Sequence, residues 1–416
     1  MNDLFADVGY VSLNHVGEEL CGDMVEIVRR EDELIVVLAD GLGSGVKANI
    51  LSTLTSKIIS TMMAENMSID ECVSTVAATL PVCKKRGVAY STFTIMRFTG
   101  NTEAEIIQFD NPLVILLRKG KNCEYPMTER IIEGKKIYET KMPVELDDVF
   151  IMMSDGAIYA GVERVLNYGW QRENIIAYVE ANYNYKQTAK IIASEIADEC
   201  NRLYASEPGD DTTVAAVQIR KRKTCNLLFG PPEHPEDDNK VMALFFSKQG
   251  RHVVCGGTTS KITARYLGKE IEAVSDYSDP SIPPTASIEG VDLVTEGVIT
   301  IARVLDYAKN YLEDNSLFEK WGKQKDGASE IARLLFKEAT DINLFVGKAA
   351  DAKKDGAELL QPTTDTVTYD DGTTEEVNGF DVPVKALDKD FDLALIGTKG
   401  KWYDHTVSVT NPVKVD

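Results

Sequence analysis

The chain has 416 residues, enough for two or three domains, with 44% hydrophobic and 27% charged side chains in ordinary globular proportion. Its formal charge of −21 argues against a nucleic-acid partner and against an anionic membrane surface, since either polyanion would be repelled. No apolar stretch reaches the roughly 20 residues of a bilayer span, and the opening Met1-Asn2-Asp3-Leu4-Phe5 lacks the basic and apolar regions of a signal peptide. The seven cysteines (21, 72, 83, 123, 200, 225, 255) form no C-x-x-C pair, so reduced structural thiols in a cytoplasmic protein are expected.

Along the chain, apolar runs at 25–29, 34–39, 88–98, 104–109, 113–117, 149–153 and 214–219 read as strands. Between them, 47–63 reads as an amphipathic helix with Ile50, Leu51, Leu54, Ile58 and Ile59 on its core face. Further helices are expected at 70–80, 173–181 and 188–204. Asp110-Asn111-Pro112 reads as a simple hairpin turn, with a rim contact to substrate as the alternative, and His15 as an exposed polar residue. Strands broken by paired helices imply sheet on sheet with helices outside, an α+β layering over residues 1–222. Lys221-Arg222-Lys223 reads as a linker.

From 223 to 350 strand and helix alternate, as in a small parallel α/β domain. Strands at 226–229, 252–255, 292–295 and 342–346 alternate with helices at 236–247, through Tyr266, at 297–312 and at 327–338. Cys255-Gly256-Gly257-Thr258-Thr259-Ser260 joins a strand to a helix and reads as a tight structural turn, with an anion on its free backbone N–H groups as the alternative. Residues 351–416 read as a β-rich appendage or tail, with short strands at 365–369, 382–384, 391–396 and 406–409, a turn between Gly397 and Gly400, and a Trp402-Tyr403-Asp404-His405 plug.

Four short acidic segments carry the chemistry: Cys21-Gly22-Asp23, Leu38-Ala39-Asp40-Gly41-Leu42-Gly43-Ser44-Gly45, Met153-Ser154-Asp155-Gly156 and Gly209-Asp210-Asp211-Thr212-Thr213. Each aspartate abuts an apolar run, which puts carboxylates at strand ends where they can meet at one rim of a sheet. Unpaired carboxylates so placed would repel one another and resist desolvation. A hard divalent cation resolves both, because Mg²⁺ and Mn²⁺ prefer carboxylate, carbonyl and water oxygens. After Asp40, Gly41 has no side chain to keep its carbonyl from a cation. Taken alone, D-G-x-G-x-G is equally a plain turn, and it lacks the spacing of a phosphate loop.

The order G-D, A-D-G-x-G-x-G, S-D-G, D-D-x-T resembles the metal-dependent protein phosphatases of the PPM family (type 2C), in particular the bacterial branch of stage II sporulation protein E, over roughly residues 8–220. Residues 224–350 resemble the partner domain of clostridial SpoIIE-like proteins. The resemblance implies a two-sheet β-sandwich flanked by helices and a serine/threonine phosphatase acting on a phosphoprotein in bacterial signalling. It implies two Mn²⁺ or Mg²⁺ ions bridged by Asp23 and Asp40, with the Gly41 carbonyl added and Asp155 and Asp210 completing the second ion. Asp210 stands three residues before Thr213, where the family ligand stands; Asp211, placed where many relatives have Asn, is kept among the metal-site residues. The Arg and His that eukaryotic relatives add have no evident counterpart here. Two other readings stay open: a catalytically silent binding module, and a nucleotide-binding α/β protein centred on Gly256-Gly257.

Overall fold

In the run from Leu34 to Leu38, both sides of the strand are buried: Leu34, Val36 and Leu38 face one layer, Ile35 and Val37 another. A strand apolar on both faces belongs in the middle of a layered fold. The computed structural model describes residues 3–30, 33–79, 91–232, 234–274, 281–312 and 316–347, together with the strands Gln361–Thr368, Thr374–Asp381 and Asp390–Leu395. Two compact units divide between Lys221 and Arg222.

The first unit runs β1 (Leu4–Leu13), β2 (Asp23–Arg30), β3 (Glu33–Asp40), α1 (Gly45–Ala64), α2 (Ile69–Thr79), β4 (Thr92–Thr99), β5 (Glu103–Phe109), β6 (Ile115–Arg118), β7 (Lys121–Asn122), β8 (Thr128–Ile132), β9 (Lys135–Pro143), β10 (Val149–Met153), α3 (Asp155–Ile158), α4 (Arg172–Asn182), α5 (Ala189–Leu203) and β11 (Thr212–Lys221). Its strands form a five-stranded sheet, β1-β11-β10-β6-β7, and a six-stranded one, β2-β3-β4-β5-β9-β8, with every pairing antiparallel. Val25, Leu38, Phe98, Phe150, Met152 and Val217 fill the space between the sheets. The outer faces pack on α1 and α2 on one side and on α3, α4 and α5 on the other. This is the α+β sandwich expected from the strand pattern.

Three local expectations change. The helix α1 is present, but Ile50 and Leu54, expected on its core face, are 52% and 43% exposed. Its buried face is instead small and partly polar: Ala48, Ser52, Thr55, Ser56, Ile59 and Ser60. The cause is close approach, since a Cβ on Gly41 would overlap the Ala48 carbonyl oxygen, and helix and sheet this near leave no room for leucines. Asp110-Asn111-Pro112 is not a hairpin: β5 and β6 lie in different sheets, so the segment carries the chain across the sandwich. The expected linker shrinks to Arg222 and Lys223, because β11 continues through Lys221. The strands β1, β8 and β9 were not expected; β8 and β9 are polar on their exposed positions and too weakly apolar to stand out.

The second unit runs β12 (Thr224–Phe229), α6 (Asp238–Ser247), β13 (Arg251–Cys255), α7 (Gly257–Leu267), β14 (Glu272–Ala273), β15 (Ala286–Ser287), β16 (Leu293–Thr295), α8 (Val298–Leu312), α9 (Phe318–Trp321), α10 (Gly327–Ala332) with a π-helical continuation Arg333–Glu338, β17 (Asp341–Val346), β18 (Gln361–Thr368), β19 (Thr374–Asp381) and β20 (Asp390–Leu395). Sheet order is β14-β15-β16-β13-β12-β17-β20, parallel from β16 to β20. Leu228, Val254 and Phe345 pack against α6 and α7 on one face, while Leu227, Val253 and Leu344 pack against α8, Trp321 and α10 on the other. The strand expected at 391–396 sits beside β17 as β20, while β18 pairs only with β19. The strands expected at 382–384 and 406–409, the Gly397–Gly400 turn and the Trp402–His405 plug lie outside the described residues.

Candidate metal centre

Antiparallel pairing brings alternate strand beginnings and endings to one rim, and four of them carry acid. Asp23 opens β2 and Asp40 closes β3, and the two stand directly opposite in register. Asp23 shares the side of its strand with Val25, and Asp40 with Leu34, Val36 and Leu38, so both carboxylates belong to the space between the sheets. From the other sheet, Ser154 and Asp155 follow β10, and Asp210 and Asp211 precede β11. The Ser154 backbone donates to the Thr213 carbonyl (3.0 Å) and the Thr213 backbone to Ser154 Oγ (2.8 Å), which locks these two ends together.

The electrostatics of the rim are lopsided. Asp23 and Asp211 are only 4% and 3% exposed. Burial, and then the neighbouring charges of Asp23, Asp155, Asp210 and Asp211, push Asp40 up to about 9. Burial pushes Asp23 up to about 7, although the Ser154 and Thr213 hydroxyls pull it back down. Asp210 is pushed up to about 6 by burial and by Asp155, against a small opposing effect of His15. Burial also raises Asp155, while its own Gly156 backbone and the Asp40 carboxyl pull it back down. Among the described residues, no lysine or arginine forms an ion pair with any of the five aspartates. Asp23 Oδ2 and Asp211 Oδ2 are buried with no hydrogen-bond partner. Buried carboxyl oxygens with no hydrogen-bond partner and no basic neighbour are what a divalent cation fits.

Residues 30–220 match the family model of stage II sporulation protein E (SpoIIE). The match spans a little under half of the chain. No curated protein matches the chain. Among solved structures, it is similar to the PP2C phosphatase domain, with a fragment of the regulatory domain, of the cell fate determinant SpoIIE from Bacillus subtilis. The identity is 18% over 53% of this chain and 64% of that one, just under two thirds of it, with a TM-score of 0.45. It is similar to RsbX in complex with magnesium (20% identity, 53% of this chain and 97% of that one, TM-score 0.39). The catalytic domain of the serine/threonine protein phosphatase PstP in complex with two manganese ions is a third (15% identity, 52% and 100%, TM-score 0.38). The mixed α+β fold, with its antiparallel sheets, is similar to PPM phosphatase domains.

Asp23, Asp40, Asp155, Asp210 and Asp211 come to the same rim, and all but Asp23 lie inside the matched residues 30–220. Gly41 is buried beside them; its N–H donates to the Gly22 carbonyl (3.2 Å), and its missing side chain is explained by the nearness of Ala48. Asp211 has a definite place: Oδ1 accepts from the His15 backbone (3.0 Å), and Oδ2 lies 2.6 Å from where a Cβ on Gly22 would sit. Among the described residues, no three His, Cys, Asp or Glu groups close into a ready cage for an ion. Mg²⁺ keeps several waters and takes one or two carboxylates, so an open arrangement still suits it.

The sequence reading quoted Ser154 and Thr213 inside their motifs without giving them a task. Both hydroxyls pull the Asp23 carboxyl down, and the Thr213 hydroxyl also bonds Ser12 Oγ (2.8 Å); the S-D-G and D-D-x-T spacings were the available signal. His15, read as a bystander, borders the site through its backbone, and its Nδ1 is buried without a partner.

Proposed function

We propose that residues 1–222 are a serine/threonine protein phosphatase domain that uses two Mn²⁺ or Mg²⁺ ions to hydrolyse phosphoserine or phosphothreonine in a phosphoprotein. The observation that carries this reading is the rim of buried and half-buried aspartates without basic partners, four of them inside the residues that match the SpoIIE family model. Asp23, Asp40, Asp155 and Asp210 are the proposed ion-holding and catalytic set, with the Gly41 carbonyl and Asp211 beside them. Bound ions would supply a water of lowered pKa and offset charge on the phosphoryl oxygens, as magnesium and manganese can. The chain's own residues position and exclude. Ser154 Oγ accepts from the Thr213 backbone (2.8 Å), which fixes the hydroxyl that pulls the Asp23 carboxyl down. Asp40 and Asp155 are near enough to shift each other, and a cation between them would offset both charges. Cys21, two residues from Asp23, is no nucleophile: burial and the Asp23 charge push its thiol up to about 12.

The test is Mn²⁺-dependent hydrolysis of p-nitrophenyl phosphate and phosphopeptides by the purified chain, set against Asp40→Asn. Turnover that needs the ion and vanishes in the variant supports the reading; no turnover with excess Mn²⁺ sinks it. A second reading, a domain that binds without hydrolysing, is favoured by the lack of a ready three-ligand cage among the described residues. The same assay separates the two.

A further inference from the structure

We propose that the carboxyl rim of the parallel sheet in the second unit binds a nucleoside phosphate between the β13–α7 and β16–α8 turns. The topology prepares such a place. Strands β16, β13, β12 and β17 lie parallel in that order. The helix after β13 goes to one face of the sheet and the helix after β16 to the other. Ligands of doubly wound proteins lie outside the carboxyl ends of the strands. The order reverses between β12 and β17, and the β13–α7 and β16–α8 turns share that carboxyl rim one strand away, their helices leaving to opposite faces.

Both turns are stripped of side chains. Gly256 ends β13 with φ at +108°, and Gly297 ends β16 close by, where a Cβ would be 3.4 Å from the Gly256 Cα. Gly256 caps α7 with no side-chain acceptor, so the first-turn N–H groups of 257–259 are not capped by a side chain. Such a terminus favours an anion, through its N–H groups and the helix dipole.

A second observation points to a ligand. Thr259 is 1% exposed, and its hydroxyl has no hydrogen-bond partner. That hydroxyl lies 3.3 Å from where a Cβ on Gly256 would stand, so it faces the space the glycine leaves open. A buried hydroxyl without a partner costs about 1–3 kcal/mol, which a bound acceptor would recover. The pattern recurs in α8, where Thr300, three residues after Gly297, is fully buried with its hydroxyl unpartnered.

Glu296 selects the class. Its carboxylate oxygens lie 3.5 Å from a Cβ placed on Gly257, beside the same helix terminus. A carboxylate there repels a bare phosphate but accepts from ribose hydroxyls, so the site fits a phosphate carried on a nucleoside. This goes beyond the phosphatase reading and does not depend on it.

The test is calorimetric titration of the full chain in EDTA with AMP, ATP, GTP, NAD⁺ and inorganic phosphate as probes. At least one nucleotide is expected to bind at least tenfold tighter than inorganic phosphate. Gly257→Asp puts a charge against the ligand at a position helices favour for acid and should weaken binding at least tenfold. Thr259→Val, nearly isosteric, should weaken it at least threefold even if the first variant does not fold. Asp40→Asn should leave it unchanged. Absence of binding by all four nucleotides overturns the proposal. So does inorganic phosphate binding equally well, affinity unchanged in Thr259→Val, or affinity lost in Asp40→Asn.

Discussion

Asp23 and Asp40 face each other across β2 and β3, one opening its strand and the other closing it, both turned between the sheets. Two acids in register at the end of a pair repel each other without a cation. Replacing Asp40 with Asn should therefore have two opposite effects. Mn²⁺-dependent turnover should fall at least about a hundredfold, as expected when a metal-site group is lost. The metal-free protein should become more stable by about 1–2 kcal/mol, a common gain when strain at a functional site is relieved. Initial rates on p-nitrophenyl phosphate and urea midpoints in EDTA read the two effects separately.

The same crowding sets the pH dependence of the metal-free fold. Folded Asp210, Asp23 and Asp40 are raised to about 6, 7 and 9, above an unfolded carboxyl near 4. Between those values the folded chain holds protons that the unfolded chain has released, so stability falls as pH rises. It should be greatest at or below pH 4 and decline from there through pH 9, by up to about 1.4 kcal/mol per pH unit for each group that keeps its proton only in the fold. Urea midpoints in EDTA at pH 5, 6, 7 and 8 should descend in that order. A flat or rising series would contradict the placement of these carboxyls.

Much of this was legible in the amino-acid order because strand ends are local features. Asp40 and Asp155 each end a run of apolar residues, and a reader needs only that neighbourhood to place them. The task of Ser154 and Thr213 was not legible, since it depends on the pairing of β10 with β11 and on Asp23 arriving from another sheet. The exposed Ile50 and Leu54 misled for a related reason: helical spacing marks an apolar stripe, while the close approach at Gly41 and Ala48 chose the small-residue side. In the second unit the alternation of strand and helix gave the parallel sheet directly.

Metal binding should couple to protons. Since the free site holds protons near neutral pH on Asp40 and its neighbours, loading Mn²⁺ must expel them. Titrations at pH 7 in buffers of different ionisation enthalpy should show net proton release, growing smaller toward pH 9. Saturating Mn²⁺ should raise the unfolding midpoint, by about 2.7 kcal/mol at a hundredfold excess over Kd. Calcium-free EDTA should reverse it.

Ser154→Ala removes a hydroxyl that pulls the Asp23 carboxyl down and leaves the Thr213 backbone N–H without its acceptor. Losing an outer partner of a metal ligand commonly costs 10–100-fold in metal affinity. The Mn²⁺ concentration for half-maximal rate should rise by about that factor, while KM for a phosphopeptide at saturating Mn²⁺ stays close to wild type. A merely structural role would instead lower stability without moving the metal dependence.

Gly41 and Gly43, two residues apart, make a paired test of why the turn after β3 is glycine-rich. A Cβ on Gly41 would overlap the backbone of α1 at Ala48, and backbone cannot swing aside as a flexible side chain can. Gly41→Ala must push α1 off the sheet and should cost about 2–4 kcal/mol, in the range of overpacked cores. Gly43 has nothing within 4 Å of a Cβ but a φ of +96°, so Gly43→Ala meets only backbone strain, about 1 kcal/mol. Because α1 begins four residues after Gly41, its displacement should also loosen the Asp40 end of the rim. Gly41→Ala should thus lose Mn²⁺ stabilisation as well as intrinsic stability, whereas Gly43→Ala keeps the former. Equal midpoints for the two variants would show that helix and sheet are not in close contact there.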